Sequence, residues 1–171
     1  SYEPESNSLS SGQVLMRNFS FEEAWVIVRE MTDQLILDLV DKGLETNSVS
    51  LYISYDHRFG VPSSGKGVGL GAFTNSTSLI LATVESLYTE ITDRYTGIRR
   101  VNICFGQLRP EGFEQMNLFT DQKARTREKS MQRAILEIRH RYGANAVMRG
   151  CNLLDCSNYR ERNMQIGGHR A

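Results

Sequence analysis

The sequence has 171 residues, the length of one ordinary domain or of a domain with an appendage. Apolar residues make up 40% and charged residues 23%, with three prolines, so the composition excludes a collagen-like or low-complexity chain. There is no run of about 18 apolar residues and no basic, apolar leader, which predicts a cytoplasmic protein without a membrane partner. Since the chain begins with Ser1 and not Met, we expect a piece of a longer protein.

Charge is balanced over the whole chain but not along it. Residues 1–93 contain 5 basic and 13 acidic side chains, a net charge of −8, whereas residues 94–171 contain 15 basic and 7 acidic, a net charge of +8. Thirteen of those 15 are Arg, which binds phosphate through paired hydrogen bonds, so the C-terminal half indicates a polyanionic partner. The alternative is a solvated, arginine-rich helix without a ligand.

Apolar residues recur at strand and helix spacings in a regular order. Alternation of apolar and polar residues predicts four strands, at residues 13–17, 48–55, 67–73 and 98–108. Apolar residues at steps of three and four predict three helices, at residues 21–42, 77–95 and 122–142. Ser20 and Glu23 form a capping box at the start of the first helix. The apolar stripe of the third helix consists of Met131, Ala134, Ile135, Ile138 and Tyr142.

This order predicts an α+β fold of the ferredoxin-like β-α-β-β-α-β type. A four-stranded antiparallel sheet would have two helices on one face, followed by a C-terminal helix and a short strand or tail. The open sheet face is predicted to carry small, polar or cationic residues: Ser50, Tyr52, Ser54, Gly67, Gly69, Gly71, Arg100, Asn102 and Cys104. Such a face suits a phosphate backbone better than an apolar protein partner. The alternative is an ordinary solvated sheet face.

The loop from Gly60 to Gly67 nearly matches the phosphate-binding pattern G-x-x-x-x-G-K-S/T. Position 67 is Gly where a hydroxyl residue would bind Mg²⁺, and a strand pattern follows in place of a helix. We interpret the segment as a hairpin loop whose Lys66 contacts a polyanion, and a small nucleotide-binding enzyme is the rival interpretation. The three histidines and three cysteines have no catalytic or metal-binding spacing, so no catalytic residue, metal or cofactor is predicted in this chain.

Residues 115–119, Gln-Met-Asn-Leu-Phe, place large apolar side chains in a linker where polar residues are expected. One interpretation is a peptide that inserts Met116, Leu118 and Phe119 into a groove of a partner while Gln115 anchors one end by hydrogen bonds. The other is that Leu118 and Phe119 pack the following helix against the core.

Together these segments resemble the C-terminal little-finger domain, with its tail, of the Y-family lesion-bypass DNA polymerases of Gram-positive bacteria. The resemblance rests on SLSSGQVLMRNFSFEEA at 8–24, IRRVNI at 98–103, QMNLF at 115–119 and RNMQIGGHRA at 162–171. It implies three parts: a DNA-binding little finger at 1–108, a linker with a clamp-binding peptide at 109–120, and a helical extension and tail at 121–171. QMNLF looks like the peptide with which these enzymes bind the sliding clamp.

The resemblance also implies the residues that contact the phosphates of primer-template DNA: Ser8, Ser10, Ser11, Gly12, Arg99 and Arg100. Tyr52 and Lys66 are added to this site from their predicted positions. Cys104 stands where some relatives have a further basic residue, so we expect weak, salt-sensitive binding.

The implied parent is a translesion polymerase of DNA repair and the SOS response, whose Mg²⁺ ions would be held by catalytic domains outside this chain. The piece is expected to be a monomer and inactive alone. The alternative function is a stand-alone ferredoxin-like RNA-binding module, for which Tyr52 is the one suitable aromatic residue on the predicted face.

Overall fold

The structure, a computed structural model, describes residues 7–112, 121–166 and 169–170. The long strands are β1 (Ser8–Phe19), β2 (Leu44–Tyr55), β3 (Ser64–Thr74) and β4 (Ile98–Gly106). The long helices are α1 (Phe21–Asp41), α2 (Thr77–Ile91) and α3 (Gln122–Tyr142). Shorter elements are β5 (Arg109–Pro110), α4 (Tyr159–Arg162), β6 (Gln165–Ile166), β7 (His169–Arg170) and 3-10 turns at His57–Phe59 and Gly150–Leu153. The predicted β-α-β-β-α-β order and C-terminal helix are confirmed.

The four long strands form an antiparallel sheet in the order β1-β4-β2-β3, and β5 pairs with the start of β2. The central strands are therefore β4 and β2, whereas the first and third strands are central in a regular ferredoxin-like sheet. Each β-α-β unit encloses one strand of the other, because β4 lies between β1 and β2 while β2 lies between β3 and β4. The backbone N–H of Leu108 donates to the carbonyl of Asn7 at 3.4 Å, so the two ends of the segment from β1 to β4 are adjacent.

Helices α1 and α2 pack on one face of the sheet and close the core. The apolar residues at helical spacing are fully buried in both helices: Ala24, Val28, Met31, Leu35 and Leu39 of α1, and Ile80, Val84 and Leu87 of α2. They meet alternating residues of the two central strands: Val49, Leu51, Ile53, Val101, Ile103 and Phe105. Burying one such side chain stabilises the fold by about 1.5–3 kcal/mol, so this contact fixes how the helices lie on the sheet.

Helix α2 is shorter than predicted. It ends at Ile91, and Tyr95, the last residue of the predicted helix, is 96% exposed. The carboxylate of Asp93 accepts hydrogen bonds from the N–H groups of Tyr95 and Thr96, at 2.8 and 2.9 Å. This side-chain turn provides acceptors for backbone N–H groups that would otherwise continue the helix.

Helix α3 lies on the outer side of the α1 and α2 layer, and its contact is polar. Four of the five residues of its apolar stripe are exposed: Met131, Ala134, Ile138 and Tyr142. The buried residue of α3 is Gln132. Its amide donates to the carbonyl of Asn75 at 3.0 Å and to the hydroxyl of Thr77 at 2.9 Å, at the start of α2. The helix therefore turns a hydrogen-bonding face inward, because the surface that it meets is polar.

None of the helices in the described part of the chain is long and apolar enough to span a lipid bilayer.

The basic C-terminal half is partly neutralised by acidic residues of α1. Arg149 Nε lies 2.8 Å from Asp33 Oδ2, and Arg162 Nη1 lies 3.9 Å from Glu30 Oε2. The opposite charges of the two halves of the sequence thus serve, in part, to dock the C-terminal extension on α1.

Glu30 is buried at the centre of this junction, with 1% of its surface exposed. Its Oε1 atom accepts hydrogen bonds from the Asn152 amide, at 2.9 Å, and from the Ser157 hydroxyl. Burial raises the pKa of Glu30, against the lowering effect of these hydrogen bonds and of Arg162. One carboxyl group therefore connects α1 to the segment that follows α3.

We expect the Glu30→Gln variant to remove a pH dependence of stability. The raised pKa means that the folded chain holds the Glu30 proton more tightly than the unfolded chain does. The protonated Glu30 therefore contributes to the unfolding free energy at low pH, and this contribution is lost as the pH rises above about 4.3. The unfolding free energy of the wild type minus that of the variant should fall between about pH 4 and 7 in urea titrations. Glu85→Gln, at an exposed position on α2, is the matched control. A difference that is constant or rises with pH would contradict the expectation.

Candidate nucleic-acid interface

The sheet face opposite α1 and α2 is open, and its residues lie in rows across the strands. The two middle rows are Ser10, Cys104, Ser50 and Gly67, and Gly12, Asn102, Tyr52 and Gly65. The outer rows are Ser8, Gly106, Ser48 and Gly69 at one end, and Val14, Arg100 and Ser54 at the other. A cavity of about 560 Å³ runs over the middle rows. Side chains alternate between sheet faces, so the register that buries the core also assembles this surface.

These rows contain no carboxylate, although the chain has 20 Asp and Glu residues. Arg100 is their one charged member and is exposed, and it has no ion-pair partner among the described residues. By contrast, Arg17 pairs with Glu23 at 2.8 Å and Arg58 with Asp56 at 2.5 Å. The net charge of the open face is therefore positive and uncompensated at the Arg100 end.

Near that end, Asp56 organises the loop that follows β2. Its carboxylate accepts from Asn18 Nδ2 at 2.9 Å and from the backbone N–H and guanidinium of Arg58 at 2.5–3.0 Å. The Arg58 hydrogen bonds, followed by that of Asn18, hold the pKa of Asp56 well below its usual range. Both oxygens of the Asp56 carboxylate thus accept hydrogen bonds from groups of the protein itself.

Glycines on three strands keep the open face flat. A Cβ at position 12 would overlap the Asn102 Oδ1 atom and lie 3.1 Å from its Cγ, and a Cβ at position 106 would lie 2.6 Å from Ser48 Oγ. On β3, a Cβ at Gly65 would lie 3.2 Å from the Tyr52 ring. Side chains larger than hydrogen at these positions would displace the neighbouring side chains of the open face.

The two edge strands, β1 and β3, present backbone groups beside this face. Every second N–H and C=O of an edge strand points away from its neighbour. Three spacings of about 4.8 Å separate the edges by about 14 Å, which is close to the B-DNA major-groove width of about 12 Å. Small side chains along both edges leave their N–H groups accessible to phosphate oxygens.

Most of the residues predicted to bind DNA are brought together on the open face: Ser8, Ser10, Gly12, Tyr52 and Arg100. Ser11 lies on the other face, opposite buried Ile103. Arg99 is half-buried, where both neighbouring strands shift register. The clamp-peptide residues fall outside the described ranges: Gln115, Met116, Leu118 and Phe119.

The placement of Lys66 on a hairpin loop is wrong. Strand β3 begins at Ser64, and Lys66 pairs with Leu51 on the helix side of the sheet. Its Nζ atom lies 2.5 Å from Glu90 Oε1 of α2. Lys66 therefore connects β3 to α2 and does not face the open surface.

Three positions of the open face were missed in the sequence: Val14, Gly65 and Gly106. Each could have been found by extending the alternation of its strand by two residues. Gly71 was included in error, because it adopts φ 78° at the end of β3, where the pairing of β2 and β3 shifts register. Among the residues that the structure describes, no group of three or more His, Cys, Asp or Glu could hold a metal ion.

The fold and this surface define an α+β domain with one helix-covered sheet face and one open, carboxylate-free face. Residues 6–118, about two thirds of the sequence, match the family described as the impB/mucB/samB family C-terminal domain. The chain belongs to this family, which confirms the resemblance seen in its sequence.

Known proteins give further comparisons. DNA polymerase IV 2 of Bacillus subtilis (strain 168) is 26% identical over 167 residues, which cover 95% of this chain and 39% of that protein. The chain thus spans about two fifths of the length of this curated relative. A solved complex of beta-clamp processivity factor and the little finger domain of PolIV is 14% identical with a TM-score of 0.46, over 66% of this chain and 99% of that one. An insertion ternary complex of Dbh DNA polymerase is 12% identical with a TM-score of 0.41, over 64% of this chain and 32% of that one.

The overlap at position 12 predicts energetic coupling between Gly12 and Asn102. Gly12→Ala must displace the Asn102 amide, so we expect it to lower the unfolding free energy by about 1 kcal/mol. In an Asn102→Ala background the same replacement should be neutral or stabilising, because the overlap is gone and Ala restricts the unfolded chain. Urea unfolding of the four chains measures this. Gly67→Ala, with its Cβ 3.3 Å from Ser50, is the control. Equal costs of Gly12→Ala in both backgrounds would refute the coupling.

Proposed function

We propose that this chain is the DNA-binding little-finger domain of a translesion DNA polymerase, and that its open sheet face holds the phosphate backbones of primer-template DNA. The observation that carries the proposal is the absence of carboxylates from the four rows of that face, combined with the unpaired charge of Arg100. Phosphate contacts supply most non-specific DNA affinity. A carboxylate on the open face would repel the phosphates and weaken these contacts.

The groups on this face suit contacts to phosphate and not to bases. Serine hydroxyls, the Asn102 amide and edge-strand N–H groups are short donors to phosphate oxygens. The edges are about 14 Å apart, so β1 and β3 can each approach one DNA strand across the major groove. Short donors do not reach base edges, so binding should be independent of sequence, as a polymerase requires.

The two rival functions are less well supported. An RNA-binding sheet stacks bases on several exposed aromatic residues, whereas Tyr52, 40% exposed, is the one aromatic residue in the four rows. A nucleotide-binding loop needs a helix N-terminus after its glycines. Here Gly60 ends a 3-10 turn and strand β3 begins at Ser64.

The parent protein would supply the chemistry that this chain lacks. We propose that catalytic domains outside residues 1–171 join nucleotides to a primer with two Mg²⁺ ions held by their own carboxylates. The little finger would contribute DNA affinity and positioning, as a monomer in the bacterial cytoplasm during the SOS response. The name of the curated relative, DNA polymerase IV 2, agrees with this assignment.

The DNA contact is tested by the salt dependence of binding. Each lost phosphate contact should reduce the slope of log affinity against log salt by about 0.9, so we expect a change of about 1 for Arg100→Ala and about 2 for Arg99→Ala/Arg100→Ala. Fluorescence anisotropy with two duplexes of different sequence, at about 50–200 mM NaCl, measures both slopes. The double variant Lys123→Ala/Arg133→Ala removes the same charge from α3, remote from the open face, and is the matched control. Unchanged slopes in both Arg100 variants, or equal changes in the control, would sink the proposal.

We further propose that residues 115–119 bind a bacterial sliding clamp. The support is the sequence itself, in which Gln115 and two adjacent apolar residues match the order of such peptides. The peptide lies in the sequence between the domain and α3, so it would recruit the polymerase through residues other than those of the open sheet face.

Clamp binding should be lost on replacing the two apolar residues. We expect the native chain to bind a purified bacterial clamp with a Kd of about 1–10 µM and Leu118→Ala/Phe119→Ala to bind at least about tenfold more weakly, since anchor residues dominate such contacts. Isothermal titration measures both. Leu153→Ala/Leu154→Ala removes two exposed leucines elsewhere and is the matched control. No binding by the native chain, or equal loss in the control, would exclude this role and leave the DNA proposal intact.

A further inference from the structure

A second surface lies between α3 and the N-terminal half of α2. It is a groove of about 820 Å³ on the helix side of the molecule, away from the open sheet face. Six apolar residues from α1, α2, α3 and the following segment line it: Leu37, Leu81, Met131, Ile135, Val147 and Met148.

The apolar lining of the groove is accessible to solvent. Met131 at its lip is 60% exposed, and Leu81, Ile135, Val147 and Met148 are each half-buried. The orientation of α3 produces this exposure, because Gln132 is turned inward and the neighbouring apolar positions are left at the groove. A contiguous, accessible apolar surface of this kind is typical of a site for a partner polypeptide.

The acidic residues at the groove are already engaged within the protein. Glu128 accepts from the Ser76 hydroxyl at 2.9 Å and from the Ser78 N–H at 2.8 Å. Asp121 caps α3 through the N–H groups of residues 123 and 124, and Asp33 pairs with Arg149. These contacts reduce the negative charge that an acidic ligand would meet at the rim, although Asp121 keeps its charge.

Two of the three rim charges without an ion pair in the described part of the chain are positive, and the third is Asp121. Arg127 lines the groove, Lys123 lies one turn before it on α3, and both side chains are exposed. Neither has an ion-pair partner among the described residues. An apolar floor beside a rim with a net positive charge complements a segment that is both apolar and acidic.

We propose that this groove docks an acidic, amphipathic segment of a partner protein. Two or three of its apolar side chains would occupy the floor formed by Leu81, Ile135 and Val147, and its carboxylates would face Lys123 and Arg127. A nucleic acid fits less well, because the floor is apolar and the deeper lining includes the carboxylates of Glu30 and Asp33. The site does not depend on DNA binding, since the two surfaces lie on opposite sides of the α1 and α2 layer.

The probes are fluorescein-labelled 12-residue peptides with Leu, Met or Phe at positions i, i+3 and i+7 and Glu or Asp elsewhere. With the whole 171-residue chain we expect saturable binding with a Kd of about 10–100 µM by fluorescence anisotropy. Arg127→Glu and Met131→Ser should each weaken it at least about fivefold, which is about 1 kcal/mol. Two control variants change α3 outside the groove: Arg133→Glu reverses the same charge, and Tyr142→Ser removes a large exposed side chain. Binding to both should stay within about twofold of the native chain. Circular dichroism establishes that all variants are folded.

Four results would overturn the proposal. The first is that no acidic peptide saturates the chain up to about 1 mM, and the second is that the two control variants weaken peptide binding as much as the groove variants do. The third is that peptides with Lys in place of Glu and Asp bind equally well, and the fourth is that a single-stranded oligonucleotide displaces the acidic peptide. The last would make the groove a nucleic-acid site. Duplex DNA affinity should be unchanged in Met131→Ser, which separates this test from that of the open sheet face.

Discussion

The burial of α1 and α2 against one face of the sheet is the contact on which the other features depend. Central strands β4 and β2 present Val101, Ile103 and Leu51 to these helices. Because strand side chains alternate, the same register sends Arg100, Asn102 and Tyr52 to the opposite face. A slip of one residue would bury an arginine and expose the core. The binding surface therefore needs no separate folding signal, since the core determines it.

Local signals in the sequence predicted the elements well where they were strong. The capping box of α1 and its apolar stripe are present as expected, with both hydrogen bonds between Ser20 and Glu23. The first half of β1 was missed, because Ser8, Ser10 and Gly12 carry no apolar alternation and become a strand only by pairing with β4. The rotation of α3 was also beyond the sequence, since the partners of its buried glutamine lie more than 50 positions away.

The residues of the candidate site could be predicted where the alternation of side chains along a strand is regular. Arg100, Asn102 and Tyr52 were placed correctly from alternation alone. Lys66 was misplaced, because its strand begins three residues earlier than predicted and its partner Glu90 comes from another element. Net charge was informative but incomplete, since it cannot distinguish arginines that meet a ligand from those, such as Arg149, that meet an aspartate of the same chain.

The hydrogen bond between Asn7 and Leu108 has a topological consequence. The unit made of β1 to β4 is entered and left at neighbouring points, so its ends could be joined by a few residues with little loss of entropy. A circular permutant opened elsewhere, for example in the loop before β3, should keep the same core and the same open face. The chain thus enters and leaves the sheet unit through two adjacent backbone segments, so a longer polypeptide would hold it at one point of its surface.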